Sequence, residues 1–185
     1  MHYPLSYCTN VHPCRSRHDL ERIIAQEASS VRDQCGFDIG IGLWLPSVVI
    51  SEIAHDSEAT QSIANALDDQ RLQCYSLNAF PFGDFHSERV KENVYLPDWS
   101  DVRRLDYTRS CSKFLAGILS GKHEGSISTL PLAYKQATRS HDFIKTVIEH
   151  FMQLARDLNT LHQDTGKIIR LAIEPEPFCI LETTL

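Results

Sequence analysis

Two kinds of hydrophobic pattern alternate along the chain. Short apolar runs that are typical of strands cover residues 5–10, 37–45, 74–80 and 125–130, and a fifth begins at Lys167. Between them, apolar residues recur at helical spacing over 17–34, 48–67, 101–119 and 141–163. The alternation predicts five strands, each but the last followed by a helix, in a parallel sheet with right-handed crossovers.

Residues at the segment ends agree with this division. Ser16 is a plausible N-cap for the first helix, and Gly36 marks its end. Pro46 closes the second strand, and the second helical region divides near Asp56. Gly166 ends the last and longest helix.

The length of the chain limits the architecture. An eight-stranded α/β barrel needs roughly 250 residues, whereas this chain has 185. We therefore expect an α/β fold in which residues 1–185 form the N-terminal part of a single TIM barrel, about five βα units, in an apparently truncated chain. The alternative is an open five-stranded sheet. Its last strand would leave an exposed edge, which proteins normally avoid, so we expect a homodimer through that edge.

Composition narrows the function classes. With 42% hydrophobic and 23% charged residues, the composition is ordinary for a globular protein. The net charge of −6 argues against sequence-independent binding to nucleic-acid phosphates. No apolar run approaches the roughly 18–20 residues that span a membrane. The N-terminus lacks the features of a signal peptide, so we expect a cytoplasmic protein that does not insert into membranes.

The six cysteines carry no metal-binding or disulfide pattern. They are scattered and contain no CxxC pair. We expect reduced structural thiols, with Cys8 and Cys179 of most interest because they lie near strand ends.

Polar residues follow the predicted strands, on the side where α/β barrels build their sites. Asn10 and Asn78 each end a strand, where an amide can bind a hydroxyl-rich ligand or form an Asx turn. His12, before Pro13, either reaches the rim of the site or is structural.

The loop after the third strand is the longest, and long loops in compact domains are often functional. Within it, His86 is a candidate ligand or general base, because imidazole titrates near neutrality. Lys91 is a candidate for neutralising an oxyanion or a phosphate. The alternative is that His86 packs the loop and that Lys91 belongs to a solvated helical turn.

Glu174 and Glu176 form the strongest candidate pair. Residues two apart on a strand share a side, so both carboxylates would point into the mouth of the barrel. Such a pair could bind a hard divalent cation, or one member could act as a general base. The alternative is a surface Glu-Pro turn; we favour a functional role for Glu174, which directly follows the apolar residues Leu171–Ile173.

Seven motifs are spread along the chain: YCTNVHP (7–13), LNAFPFG (77–83), FHSERVKE (85–92), VYLPDW (94–99), GSISTLPL (125–132), AIEPEP (172–177) and LETT (181–184). Together they resemble the EboE family of metabolite traffic proteins, and the resemblance runs along the whole chain. That family belongs with the xylose-isomerase-like (β/α)8 barrels, a group of sugar isomerases, epimerases and related metal enzymes.

The resemblance implies a role for Glu174. In the wider superfamily a glutamate that ends the fifth strand commonly binds a divalent metal, and Glu174 matches that position. The expected ion is manganese, magnesium, cobalt or zinc. The other ligands normally come from strands six to eight, which this chain lacks. It is therefore expected to hold part of a metal site and to be inactive as a catalyst on its own.

Three functions remain open at this point. The first is a metal-dependent sugar or sugar-phosphate isomerase or epimerase in secondary-metabolite processing, with catalytic Glu174 and His86 and with Asn10, His12, Asn78, Lys91 and Glu176 binding substrate. The second is a non-catalytic binding or carrier module, because a fold does not fix a function. The third is an endonuclease-IV-like phosphoesterase, against which the negative charge argues.

Overall fold

The structure is a computed structural model that describes residues 5–83, 91–119, 124–136 and 140–183. Its five strands form one sheet in which sequence neighbours are also spatial neighbours. Every adjacent pair is parallel. The strands are β1 (Ser6–Cys8), β2 (Gly40–Trp44), β3 (Gln73–Asn78), β4 (Glu124–Thr129) and β5 (Ile168–Ile173). The predicted number of strands and their parallel pairing are confirmed.

The helices also fall where the sequence predicts them. The first helical region is continuous but has three parts, α1 (Arg17–Arg22), a π-helical segment (Ile23–Ala28) and α2 (Ser29–Cys35). The others are α3 (Ser47–Ile53), α4 (Ser57–Asp69), α5 (Val102–Ile118) and α6 (Phe143–Thr165). No helix in these described stretches is both long enough and apolar enough to cross a membrane.

Local chemistry fixes the ends of these helices. The Ser16 hydroxyl accepts a hydrogen bond from the Asp19 amide at 3.1 Å, which confirms Ser16 as an N-cap. Asp56 caps α4 by accepting from two amides of its first turn. Gly36 and Gly166, each at φ +70°, end α2 and α6 in the left-handed conformation that glycine adopts at little cost.

Three strands, β1, β2 and β3, are shorter than predicted, and the ends of β1 and β3 have local causes. β1 stops at Cys8 because Thr9–Val11 turns into a 3-10 helix. The Thr9 hydroxyl holds this turn against β2 by accepting from the Trp44 amide at 2.9 Å. β3 stops at Asn78 because the Asn78 side chain accepts from the Phe80 amide at 2.9 Å and bends the backbone.

The helices cover one face of the sheet, and the other face, which we call the inner face, carries mostly small or polar residues, with Trp44 beside Asn78 as an exception. Burial alternates strictly along β4, where Gly125, Ile127 and Thr129 are buried on the helix side. Ser126 and Ser128 lie on the inner face with Ser6 and Gly42. A β-carbon at Gly42 would lie 3.1 Å from the Ser76 hydroxyl, so a larger residue there would crowd Ser76 on that face.

Candidate functional site

Backbone hydrogen bonds beyond the strands bring three strand ends to one edge of the sheet. The Ala79 amide donates to the Ser128 carbonyl and the Glu174 amide donates to the Thr129 carbonyl, both at 2.9 Å. These bonds continue the ladders between β3, β4 and β5. The C-terminal edge of the sheet, which we call the mouth, therefore gathers residues from the ends of all three strands.

Glu174 lies at this edge, one residue after β5. Side chains alternate along a strand, so it follows Arg170 and Ala172 on the inner face. Its side chain is half-buried and makes no hydrogen bond or ion pair with the described parts of the chain. A carboxylate in this position is available to a ligand in the mouth.

Glu176 is engaged in the structure. The Tyr95 hydroxyl donates to Glu176 Oε2 at 2.9 Å, across a sequence separation of 81 residues. Burial and the adjacent Glu176 carboxylate raise the pKa of Tyr95 well above its ordinary range, so the phenol stays protonated and remains a donor. Glu176 thus joins the segment after β5 to the loop after β3.

Tyr95 lies among residues from three loops. Its ring stacks on Tyr134, from the loop after β4, with centroids 5.4 Å apart and an interplanar angle of 21°. On the β3 side it contacts Phe80, again at 5.4 Å. Aromatic rings and one phenol–carboxylate bond therefore wall this side of the mouth.

The segment after β5 is tied to the loop after β4. The Ile180 amide donates to the Ala133 carbonyl at 3.0 Å, and the Lys135 amide donates to the Phe178 carbonyl at 2.8 Å. The Lys135 ammonium also pairs with the Glu182 carboxylate at 2.7 Å. These contacts fix the path of the chain immediately after Glu174.

A buried arginine fixes the start of the loop after β3. Arg104 is fully buried. It donates through Nε to the Pro97 carbonyl at 2.9 Å and through Nη1 to the carbonyls of Ala79 and Phe80. Its guanidinium also lies 5.5 Å from the ring centroid of Phe82 and 5.6 Å from that of Tyr107. Burial lowers its pKa to about 10, but an arginine still carries its charge at neutral pH.

The two asparagines occupy different surroundings. Asn78 forms the Asx turn that the sequence offers as one reading, because its Oδ1 accepts from the Phe80 amide. This bond fixes the side chain at the mouth and leaves the amide NH₂ as the group for a ligand. Asn10 is half-buried in the 3-10 helix after β1. Their substrate-binding roles stay predictions.

His12 is held on the helix side of β1. Its Nε2 lies 2.6 Å from the Tyr7 hydroxyl, with which it shares a hydrogen bond. Tyr7 packs against the core between sheet and helices. The bond therefore draws His12 away from the inner face, and a role in substrate binding would require the ring to leave Tyr7.

The two candidates in the long loop are not placed by the structure. His86 lies outside the described residues. Lys91 begins the 3-10 helix Lys91–Tyr95, in line with the predicted helical turn, but its side chain is likewise outside the description. The catalytic role of His86 and the binding role of Lys91 stay predictions.

The described side chains do not form a metal centre. Over residues 5–83, 91–119, 124–136 and 140–183, no group of three His, Cys, Asp or Glu side chains is placed to hold an ion. Glu174 offers one carboxylate, and Glu176 is bonded to Tyr95. The donor set therefore does not fit a divalent cation without further ligands.

Sequence reasoning did not identify Tyr95 or Arg104 as residues of this region. The motif that contains Tyr95 is visible in the sequence, but its partner lies 81 residues away. Arg104 looks like an ordinary polar position of a helix, and Arg103 beside it is exposed. No spacing signal distinguishes the two arginines.

Comparison with known proteins supports the fold. No family model and no curated protein matches the chain. A solved structure does match, the xylose isomerase domain protein from Planctomyces limnophilus, with a TM-score of 0.52 at 13% sequence identity. The match covers 91% of this chain and 53% of that protein, so the chain spans about half the length of its neighbour. The fold is α/β, in the form of a partial barrel of the xylose-isomerase-like type.

Proposed function

We propose that this chain contributes to a site for sugar isomerisation or epimerisation, acting on a small hydroxylated metabolite at the mouth. The xylose-isomerase-like fold points to this superfamily of activities. The single observation that carries the proposal is the half-buried Glu174 carboxylate, which follows the fifth strand and has no partner in the described parts of the chain.

The chemistry required of Glu174 is proton transfer. Interconversion of an aldose and a ketose, or epimerisation next to a carbonyl, removes a proton from one carbon and returns one to the same or the adjacent carbon. A positioned carboxylate performs such a transfer, and general acid–base catalysis of this kind contributes about 10²–10⁴-fold in rate. The Asn78 amide, at the end of β3 on the same edge of the sheet, offers hydrogen bonds to substrate hydroxyls without adding charge.

A divalent cation remains part of the proposal only as a prediction. Glu174 could supply one oxygen ligand to manganese, magnesium, cobalt or zinc, since carboxylate oxygens suit such ions or are tolerated by them. The described residues do not supply the remaining ligands. The role that we assign to Glu174, moving a proton, does not depend on the ion.

The finer assignment rests on the sequence motifs alone. They resemble the EboE family, which links the proposed activity to the movement or processing of secondary-metabolite precursors. Because the chain spans about half of its structural neighbour, we propose this activity for the complete protein.

The proposal is tested by assaying the complete protein against a panel of aldoses, ketoses and their phosphates, with and without added manganese. We expect conversion of at least one member, and we expect Glu174→Gln to lower the rate at least about 100-fold, because the amide cannot accept the proton. Glu52→Gln, on an exposed position of α3, is the matched control and should keep full activity. An inert panel, or equal rates for Glu174→Gln and the parent, would contradict the proposal.

A non-catalytic binding module is the second candidate, and it is favoured by the incomplete set of metal-binding side chains in the described residues. Equilibrium binding of the same panel separates the two. A module of this kind binds a sugar with unchanged affinity after Glu174→Gln and in the presence of a chelator. A catalytic site turns the ligand over and loses that turnover in the variant.

A further inference from the structure

The loops after β3, β4 and β5 meet at the side chain of Tyr95. Phe80 comes from the first loop, Tyr134 from the second and Glu176 from the third, and all three contact the Tyr95 ring or hydroxyl. Tyr95 itself ends the 3-10 helix Lys91–Tyr95 in the loop after β3. One side chain therefore joins the three loops that border Glu174.

On the β4 side, the backbone already holds the segment that follows β5. The Glu174 amide bonds to the Thr129 carbonyl at 2.9 Å, and the Ile180 amide bonds to the Ala133 carbonyl at 3.0 Å. Between these two bonds the segment turns on itself, since the Glu176 amide donates to the Leu181 carbonyl at 3.1 Å. The turn is thus fixed at both of its ends.

On the β3 side, the phenol of Tyr95 fixes the middle of the same turn through Glu176 Oε2. Pro175 and Pro177 flank Glu176. A proline ring restricts φ to about −65° and restricts the residue before it as well. The two prolines therefore reduce the backbone freedom between Glu174 and Glu176.

We propose that Tyr95 is a positioning residue for Glu174: by holding Glu176 against the loop after β3, it sets the direction of the Glu174 carboxylate in the mouth. The catalytic importance of this direction rests on the proposed function, whereas the contacts that set it do not. Productive proton transfer needs the reacting groups to be held within about 0.5 Å of the productive geometry. Backbone bonds to the β4 side alone do not ensure this precision.

The first experiment measures local opening by amide hydrogen exchange in the full chain. Tyr95→Phe removes the donor and keeps the ring, so we expect the amides of Glu176 and Cys179, which donate within the turn, to exchange about fivefold faster, the effect of one lost hydrogen bond. Glu176→Ala should reproduce the change. Glu176→Gln should exchange like the parent, because its amide oxygen still accepts from the phenol.

The second experiment reads Glu174 directly. In protein labelled with ¹³C-glutamate, the Glu174 carboxyl resonance is the one absent from Glu174→Gln. We expect it to move or broaden in Tyr95→Phe. Tyr75→Phe, which removes a phenol hydroxyl from β3, is the control and should leave it in place. Urea unfolding of each variant separates a local effect from loss of the fold.

The outcomes separate the inference from the proposed function. Unchanged exchange and an unchanged Glu174 resonance in a folded Tyr95→Phe protein would overturn the positioning role, whether or not sugars are converted. A displaced resonance in a protein that converts no sugar would support the positioning role and count against the isomerase proposal. In an active protein, Tyr95→Phe should lower kcat severalfold with little change in KM.

Discussion

Arg104 is a charged side chain enclosed in the protein beside the mouth. It is fully buried and pairs with no carboxylate among the described residues, and three backbone carbonyls and two aromatic rings surround it instead. Its Nη2 atom has no hydrogen-bond partner among the described residues. Burying a charge in this way is costly, and the hydrogen bonds to the three carbonyls offset part of that cost.

Removing this donor should destabilise the protein. Arg104→Met leaves the carbonyls of Ala79, Phe80 and Pro97 buried without their donor, at a cost of about 3 kcal/mol or more in the free energy of unfolding. Arg104→Lys should not restore the loss, because an ammonium lacks the planar fork that spans three acceptors. Urea unfolding measures both variants.

Arg103 is the matched control for Arg104. Its side chain is 69% exposed and pairs with Asp101 at the surface. Exposed pairs contribute little, so Arg103→Met should leave the urea midpoint nearly unchanged. Equal losses at both arginines would show that the carbonyls of the loop do not depend on Arg104.

The residues around the mouth also show where sequence reasoning stops. The position of Glu174 at the mouth was predictable because a carboxylate after an apolar strand has a fixed place in a parallel sheet, while its role stays a prediction. Tyr95 and Arg104 were not, because their roles depend on partners 81 and 24–25 residues away in sequence. Strand and helix periodicity carries no information on such pairs.

Between elements, the closest approach described for a glycine joins α5 to α4. A β-carbon at Gly117 would lie 2.6 Å from Thr60 Cγ2. Thr60 cannot easily turn away, because its hydroxyl donates to the Ile53 carbonyl at 3.0 Å. Glycine at position 117 therefore weakens α5 as a helix but allows α4 to pack closely against it.

A double-mutant cycle measures the coupling energy between Gly117 and Thr60. Alanine is about 1 kcal/mol better than glycine inside a helix, but in the parent protein Gly117→Ala should destabilise by about 1 kcal/mol because overpacking outweighs that gain. Thr60→Ser removes the methyl group and keeps the hydroxyl bond. In that background Gly117→Ala should stabilise by about 1 kcal/mol, as read from thermal or urea unfolding. Equal effects in both backgrounds would contradict the proposed contact.

For the whole molecule, the sequence predicted the order of elements, the parallel sheet and the partial barrel, because strand and helix periods are local properties. It did not predict the π-helical segment Ile23–Ala28, where the Ser29 hydroxyl bonds back to the Ala25 carbonyl at 2.7 Å. It also did not predict that the residues of the inner face are mostly small or polar. That face depends on which of the two sides of each strand the helices cover, and periodicity alone does not choose between them.

The six cysteines differ in exposure and therefore allow the packing of several elements to be tested. All six are free thiols. Cys8 is exposed and Cys35 is half-buried, while Cys14, Cys74, Cys111 and Cys179 are buried. Burial raises the pKa of Cys14, Cys74 and Cys111 to about 12. The thiolate is the reactive form, so at pH 8 only about one in 10⁴ of such groups is reactive even before access is considered.

Reaction with Ellman's reagent at pH 8 should therefore divide the thiols into two classes. In the native protein we expect Cys8 to react first and Cys35 more slowly, with the four buried thiols reacting only as the protein unfolds. All six should react at once in concentrated urea. Cys8→Ser should remove the fastest equivalent, whereas Cys111→Ser should leave both native phases unchanged. A third accessible thiol in the native protein would show that one of the buried cysteines, and the element that carries it, is not packed as described.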